Sequence, residues 1–284
     1  IYGVLEVGMD KKGEIDYLSK IIKPDISVIT NVNYAHAKNF KNIKQIAIAK
    51  SEIIHNTKSN GHIVLNADDS FFEFHRKLAL ENTLKVISFG MKNQKSDVKF
   101  LNITKIGKIY KINIKINEIK KFFFISNNFQ NNIYNILAAV SVMSINENIL
   151  NLNKNIFLNF EIPSGRGDFT KIRINKKSIN LIDESYNSNP LSLRSAILNY
   201  DKFKSSKSKK FLLLGDMLEL GSHSKKLHKS IVPLINKTKI DKVFVKGKNM
   251  GSIFKKLSKN KKGGILYNKS EIIKLITNQL NNND

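Results

Sequence analysis

The sequence predicts an α/β protein of two domains, each built on a mostly parallel sheet. Three observations carry this. Short apolar runs alternate with stretches whose apolar positions recur every three or four residues, the pattern of successive βα units. Residues 98–126 break that rhythm with an apolar–polar alternation suited to half-exposed antiparallel strands. An Asn-rich stretch over residues 151–165, ending Ile162-Pro163-Ser164-Gly165, separates two such regions and marks a domain boundary.

Taken in order, strands are expected at residues 2–5, 27–30, 62–66 and 85–89, with helices at 14–22, 43–55 and 71–81 between them. The run Lys108-Ile109-Tyr110-Lys111-Ile112-Asn113-Ile114-Lys115-Ile116 is the clearest alternating strand, and a Leu- and Ala-rich helix fits 131–145. Past the boundary, strands are expected at 178–182, 210–214, 242–245 and 265–267 with helices between, and the Ser-broken stretch 202–210 reads as a surface loop. The chain closes in a helical pattern followed by Asn281-Asn282-Asn283-Asp284. The expected domains are therefore 1–162 and 163–284.

Composition narrows the function classes. With 284 residues, 41% of them hydrophobic, the chain can bury a core and is not a wholly disordered polymer. No run approaches the roughly 18 apolar residues of a membrane span. The opening Ile1-Tyr2-Gly3-Val4-Leu5-Glu6 has no basic leader or cleavage site and no initiator Met, so a fragment or processed product of a cytoplasmic protein is expected. Zero cysteines exclude disulfides, thiolate metal sites and a Cys nucleophile. The net charge of +25 raises the possibility of a nucleic-acid binder. Only Arg76, Arg166, Arg173 and Arg194 are arginines, however, and arginine is the preferred reader of phosphate and base edges. Scattered lysines beside abundant Asn and Ile read first as compositional drift onto solvated faces.

Several residues sit where chemistry could occur. Glu6 ends the expected strand Val4-Leu5-Glu6-Val7-Gly8, where an α/β sheet places its ligands; it is either an ordinary strand-end acid or a carboxylate for Mg²⁺ beside a nucleotide. His36 follows another strand end and is either a satisfied loop residue or a ligand. Lys50 falls on the apolar stripe of its helix with Ile43, Ile46, Ala47, Ile53 and Ile54. It either snorkels or presents a desolvated amine, able to add CO₂ and become a carbamate. Asn132 and Asn135, three apart near a helix start, are caps or amides that read a base edge or hydroxyl. Arg166, within Ser164-Gly165-Arg166-Gly167-Asp168, could reach a phosphate from one domain across a cleft. Asp183-Glu184-Ser185-Tyr186-Asn187-Ser188-Asn189-Pro190 crowds acids, hydroxyls and amides at a strand end, and Leu214-Gly215-Asp216-Met217-Leu218-Glu219-Leu220-Gly221 does so one unit later, with His228 beyond it.

The ordered set Glu6-Val7-Gly8, Gly13-Glu14-Ile15, Thr30-Asn31, Ala35-His36, Ala49-Lys50-Ser51-Glu52-Ile53, Leu65-Asn66-Ala67-Asp68-Asp69 and Asn132–Ala139 resembles the central ATPase domain of the Mur ligases. Gly165-Arg166 looks like the start of that family's Rossmann-like C-terminal domain, and the 183–190 and 214–221 motifs look like its D-alanyl-D-alanine-adding branch. The resemblance runs over nearly the whole chain. It implies ATP and Mg²⁺ as cofactors, with UDP-MurNAc-tripeptide and D-Ala-D-Ala as substrates of a cytoplasmic, monomeric enzyme of peptidoglycan precursor synthesis. It implies Glu6, His36 and a carbamylated Lys50 at the metal. Asn132, Asn135, Arg166, Asp183 and Glu184 would serve the nucleotide. Tyr186, Asn187 and Asn189 would lie at the interdomain cleft near phosphates or dipeptide.

Two departures stand beside the resemblance. No Gly-x-x-Gly-Lys-Thr/Ser phosphate loop occurs in these residues, which in the family lies upstream of the Glu6 position, and the N-terminal UDP-binding domain and the last C-terminal segment are missing. Residues 1–284 are therefore expected to be inactive alone. The position before Asn132, often His in the family, is Asn131. The leading reading expects no specific nucleic acid and no membrane insertion; the alternatives are another Mur or a folylpolyglutamate synthase-like ligase, a basic nucleic-acid-binding module, and a non-catalytic relative.

Overall fold

The computed structural model describes residues 2–126, 132–174, 176–203 and 208–281. Asn131, the middle of the 202–210 loop and the final Asn282-Asn283-Asp284 lie outside them. The chain divides into two compact units, Ile1–Glu161 and Ile162–Asp284.

In the first unit, α1 (Glu14–Ile22), β1 (Ile26–Ile29), α2 (Ile43–Asn56), β2 (His62–Asn66), α3 (Phe72–Glu81) and β3 (Lys85–Gly90) follow the βα pattern. A meander of β4 (Val98–Ile106), β5 (Ile109–Ile116) and β6 (Ile119–Ser126) comes next, then α4 (Ile133–Asn146). These strands make one sheet in chain order, parallel from β1 to β4 and antiparallel from β4 to β6. The meander's tight turns use left-handed backbone, at Gly107 (φ 59°) and Asn117 (φ 50°), the two residue types that adopt it most cheaply. Asn42 starts α2 by accepting the Gln45 amide (3.1 Å). Ile29, Ile54, Ile63, Leu65, Ala79 and Leu84 pack the core that α2 and α3 close over the sheet.

The expected strand at 2–5 does not form. Residues 2–9 are irregular, with Val4 95% and Leu5 64% exposed. An apolar run becomes a strand only where a neighbour completes its ladder, and none of the described residues pairs with this one.

In the second unit, β7 (Asp168–Ile174) and β8 (Lys177–Asp183) form an antiparallel hairpin. After it come α5 (Pro190–Lys202), β9 (Phe211–Leu214), α6 (Ser224–Ser230), α7 (Val232–Lys237), β10 (Lys242–Val245), α8 (Lys248–Phe254), β11 (Lys262–Ile265) and α9 (Lys269–Asn278). β9, β10 and β11 make a parallel sheet with β10 central. The sequence reading missed β7 and set the last strand too late. Gly263 and Gly264 disguise β11. A Cβ on Gly263 would lie 2.6 Å from the Phe244 ring, so the strand needs glycine to pass that side chain.

Several lysines serve backbone carbonyls. Lys210 Nζ donates to the Tyr200 and Asp201 carbonyls at the end of α5, and Lys177 Nζ to Thr277 and Leu280 around the end of α9. Lys261, only 7% exposed, donates to Thr238 and Ile240 at 2.6 Å each. Among the described residues no helix is long and apolar enough to cross a membrane.

Candidate active site

In the first unit the loops after β1, β2 and β3 leave the same carboxyl edge of a parallel sheet, where ligands of open α/β sheets sit. Hydrogen bonds stitch them together. Asn66 Nδ2 donates to the Thr30 carbonyl (3.0 Å). Asp69 accepts from the Val32 amide (2.7 Å) and from Phe71 N (2.8 Å), joining the His36 loop to the start of α3.

Lys50 projects from α2 toward this edge. Burial lowers its proton affinity, and the Asp69 carboxylate partly offsets that. His75, 2% exposed, donates from Nε2 to the Ala47 carbonyl one turn before Lys50 (3.0 Å). Burial also lowers the pKa of His75, while Asp69 and Lys50 act on it with opposite signs. Lys50, Asp69 and His75 thus form one electrostatic group with a desolvated amine at its centre.

His36 is half-buried and left-handed (φ 53°), a conformation uncommon outside glycine. The carboxylate beside it is Asp10, with an oxygen within 4.8 Å of a His36 ring nitrogen. Asp10 Oδ1 has no hydrogen-bond partner and lies 3.3 Å from Lys38 Nζ. Glu6 is exposed on the irregular 2–9 stretch. Glu52, two residues after Lys50, is a cap: it accepts the amides of Gly13 (2.9 and 3.0 Å) and Asp16 (3.1 Å) at the start of α1.

Asn132 precedes α4 and accepts the Asn135 amide (3.0 Å), so the two predicted amides are indeed neighbours, with Asn135 exposed. Between them Tyr134 donates its hydroxyl to Asp68 (2.9 Å). Burial and the Asp68 charge push the Tyr134 phenol well above its usual range, so it stays a donor.

In the second unit Gly165 (φ 76°) accepts the Tyr186 amide (3.0 Å), and a Cβ on it would stand 2.9 Å from Tyr186. Gly167 (φ 96°) donates to the Asp183 carbonyl (2.7 Å) and faces Glu184. These contacts hold Arg166 over the Tyr186 ring, 4.6 Å from its centroid. Burial first, then the charges of Asp183 and Asp168, raises the Glu184 pKa. Asn189 caps α5, accepting from Leu191 and Ser192 (3.0 Å each), and Asn187 is exposed. One unit later, Asp216 accepts from Asn249 and Met250 at the start of α8. The wholly buried His228 accepts the Met217 amide at Nε2 (3.0 Å), so its proton sits on Nδ1 and goes to the Ser224 carbonyl (2.8 Å).

Sequence reasoning did not single out Asp10 or His75, and it placed Asp68, Asp69 and Tyr134 within motifs without giving them roles. Asp68 and Asp69 carried a signal, two adjacent acids directly after a strand.

Residues 1–143 match the Mur ligase middle domain and residues 169–284 the domain described as Mur ligase, glutamate ligase domain. The chain belongs to the Mur ligase family. It is similar to the UDP-N-acetylmuramoyl-tripeptide–D-alanyl-D-alanine ligase of Buchnera aphidicola subsp. Baizongia pistaciae, at 33% identity over 99% of this chain and 58% of that protein. The ligase of the same name from Rickettsia prowazekii is 29% identical over 97% of this chain and 60% of its own length. Among solved structures, MurF from Acinetobacter baumannii superposes with a TM-score of 0.81 at 24% identity, covering 96% of this chain and 58% of that one. MurF from Thermotoga maritima, solved in complex with ADP, gives 0.80 at 24% identity, covering 98% and 61%. The chain spans about three-fifths of the length of these relatives.

Proposed function

We propose that this chain forms the middle and C-terminal portions of an ATP-dependent ligase that joins D-Ala-D-Ala to UDP-MurNAc-tripeptide in the cytoplasm. One observation carries the reading: relatives bearing that activity in their names align with 97–99% of the chain at 29–33% identity. The 183–190 and 214–221 motifs, which distinguish this branch, lie within that alignment.

The γ-phosphoryl group of ATP passes to the tripeptide's terminal carboxylate, releasing ADP. The amine nitrogen of D-Ala-D-Ala attacks the acyl carbon. The tetrahedral intermediate then expels phosphate as the nitrogen loses a proton, leaving the amide. In this reading Asn132 and Asn135 recognise the adenine region. Arg166 meets phosphate charge, and Asp183 and Glu184 serve the rest of the nucleotide. Tyr186, Asn187 and Asn189 stand near the phosphates or the dipeptide.

The donor set suits a hard cation. His36 has Asp10 beside it with an oxygen lacking a hydrogen bond. A carbamate on Lys50 would turn a desolvated amine into two oxygen donors, with Glu6 on the irregular 2–9 stretch as a further carboxylate. Mg²⁺ held there would neutralise charge on the transferring phosphoryl group.

The test is phosphate release by the complete ligase. It should require ATP, UDP-MurNAc-tripeptide and D-Ala-D-Ala together, and should stop when diaminopimelate, lysine or glutamate replaces the dipeptide. Equal release with one of those amines would assign the chain to another branch.

A further inference from the structure

We propose that Asp68 and Tyr134 are positioning residues for the nucleotide, their hydrogen bond fixing the first turn of α4 so that Asn132 and Asn135 present their amides in one orientation. This rests on the reading that those two amides face the nucleotide.

Ile133 and Ile136 bury the inner side of the first turn of α4, which leaves the placing of its outer, polar side to hydrogen bonds. Asn132 precedes the helix without making a side-chain capping bond, and its oxygen is taken by Asn135. Tyr134 adds a side-chain hydrogen bond from this turn to another element, donating to Asp68. Asp68 is itself immobilised. Its Oδ2 accepts the amides of Met91 (2.6 Å) and Lys92 (2.9 Å) as well as the Tyr134 hydroxyl, and its Oδ1 accepts the Asn93 amide (2.8 Å). Four donors on one carboxylate keep it ionised and fix its plane. The segment that supplies three of them begins at Gly90, where a Cβ would lie 3.2 Å from Asp68 Oδ1 and 2.8 Å from Ser96 Oγ. Asp68 therefore ties the end of β2 and the end of β3 to the start of α4, all at the carboxyl edge of the sheet. The Tyr134–Asp68 bond lies between Asn132 and Asn135 in the same turn.

Three variants of the complete ligase test this: Tyr134→Phe, Asp68→Asn and Asn135→Ala. Only part of a hydrogen bond to a charged group is felt at the nucleotide when it acts through orientation, so Tyr134→Phe should raise KM for ATP about three- to tenfold. Its kcat should stay within about twofold, and KM for the other two substrates should not move. Asp68→Asn should shift KM for ATP in the same direction and further. If Asn135→Ala raises KM for ATP but Tyr134→Phe does not, the positioning role is overturned and the nucleotide reading of α4 stands. If neither variant changes it, both fall. If Tyr134→Phe instead lowers the melting temperature and alters all three KM values alike, the bond is structural and the proposal fails.

Discussion

The Arg166 guanidinium lies over the Tyr186 ring at 4.6 Å, and the Gly165 backbone beneath accepts the Tyr186 amide. Tyr186 thus restrains Arg166 whatever else it contacts. A stacking energy of about 0.5–1 kcal/mol at an exposed site predicts a two- to fivefold rise in KM for ATP in Tyr186→Ala of the complete ligase. Tyr186→Phe, which keeps the ring, should behave as wild type. Equal losses in both variants would point to the hydroxyl and away from the stack.

Lys50 gives a second expectation. Lys50→Ala in the complete ligase should lower kcat by about 10²–10³-fold, the usual cost of removing a charge-stabilising group. Short carboxylates such as acetate should restore part of the rate by filling the vacated space with oxygens. Unchanged activity in Lys50→Ala would rule out the carbamate.

Glu184 should leave a signature in stability against pH. Its pKa is raised in the folded state, so the folded protein binds its proton more tightly than the unfolded chain. Ionising it therefore costs stability, a penalty absent below the ordinary glutamate range and complete above the raised value. Glu184→Gln should raise the melting temperature at neutral pH, by little because the side chain is partly solvated, and the gain should fade as the pH drops through the ordinary glutamate range. A gain independent of pH would show that charge is not the cause.

His228 is the packing test. Wholly buried and bonded to Met217 and Ser224, it holds the 215–221 loop. His228→Ala should destabilise the chain by about 3 kcal/mol in urea unfolding, from a cavity plus an unsatisfied amide. A loss below about 1 kcal/mol would mean that the loop is held by Asp216 alone.

Periodicity located most of the fold. The spans 14–22 and 62–66 coincide with α1 and β2, because burial on one face imposes a regular spacing that survives in the sequence. What failed was dictated from outside the segment. Residues 2–5 have strand composition but no ladder partner among the described residues, and Gly263-Gly264 form a strand by pairing with β10, close against the Phe244 ring. At the site, the proximity of Asn132 and Asn135 followed from helical spacing. The pairing of Asp68 with Tyr134 did not, since the two residues are 66 positions apart and nothing local links them. The burial of Lys50 was legible from its place on an apolar stripe, whereas the proximity of His36 to Asp10 required the chain to fold.

The charge, too, reads differently in three dimensions. Of the lysines that suggested a polyanion partner, Lys121, Lys177, Lys210, Lys242, Lys261 and Lys262 direct their ammonium groups at main-chain carbonyls.

Lys261 has a practical corollary. Its ammonium group is enclosed and donates to two carbonyls, so an amine-specific acylating reagent can reach the nitrogen only when that part of the second unit opens. Acylation also leaves one uncharged N–H where three charged ones stood, so the closed form cannot readily re-form around it. The rate at which Lys261 is labelled, followed by mass spectrometry against the exposed Lys20, would act as an intrinsic clock for local opening, with no foreign probe introduced.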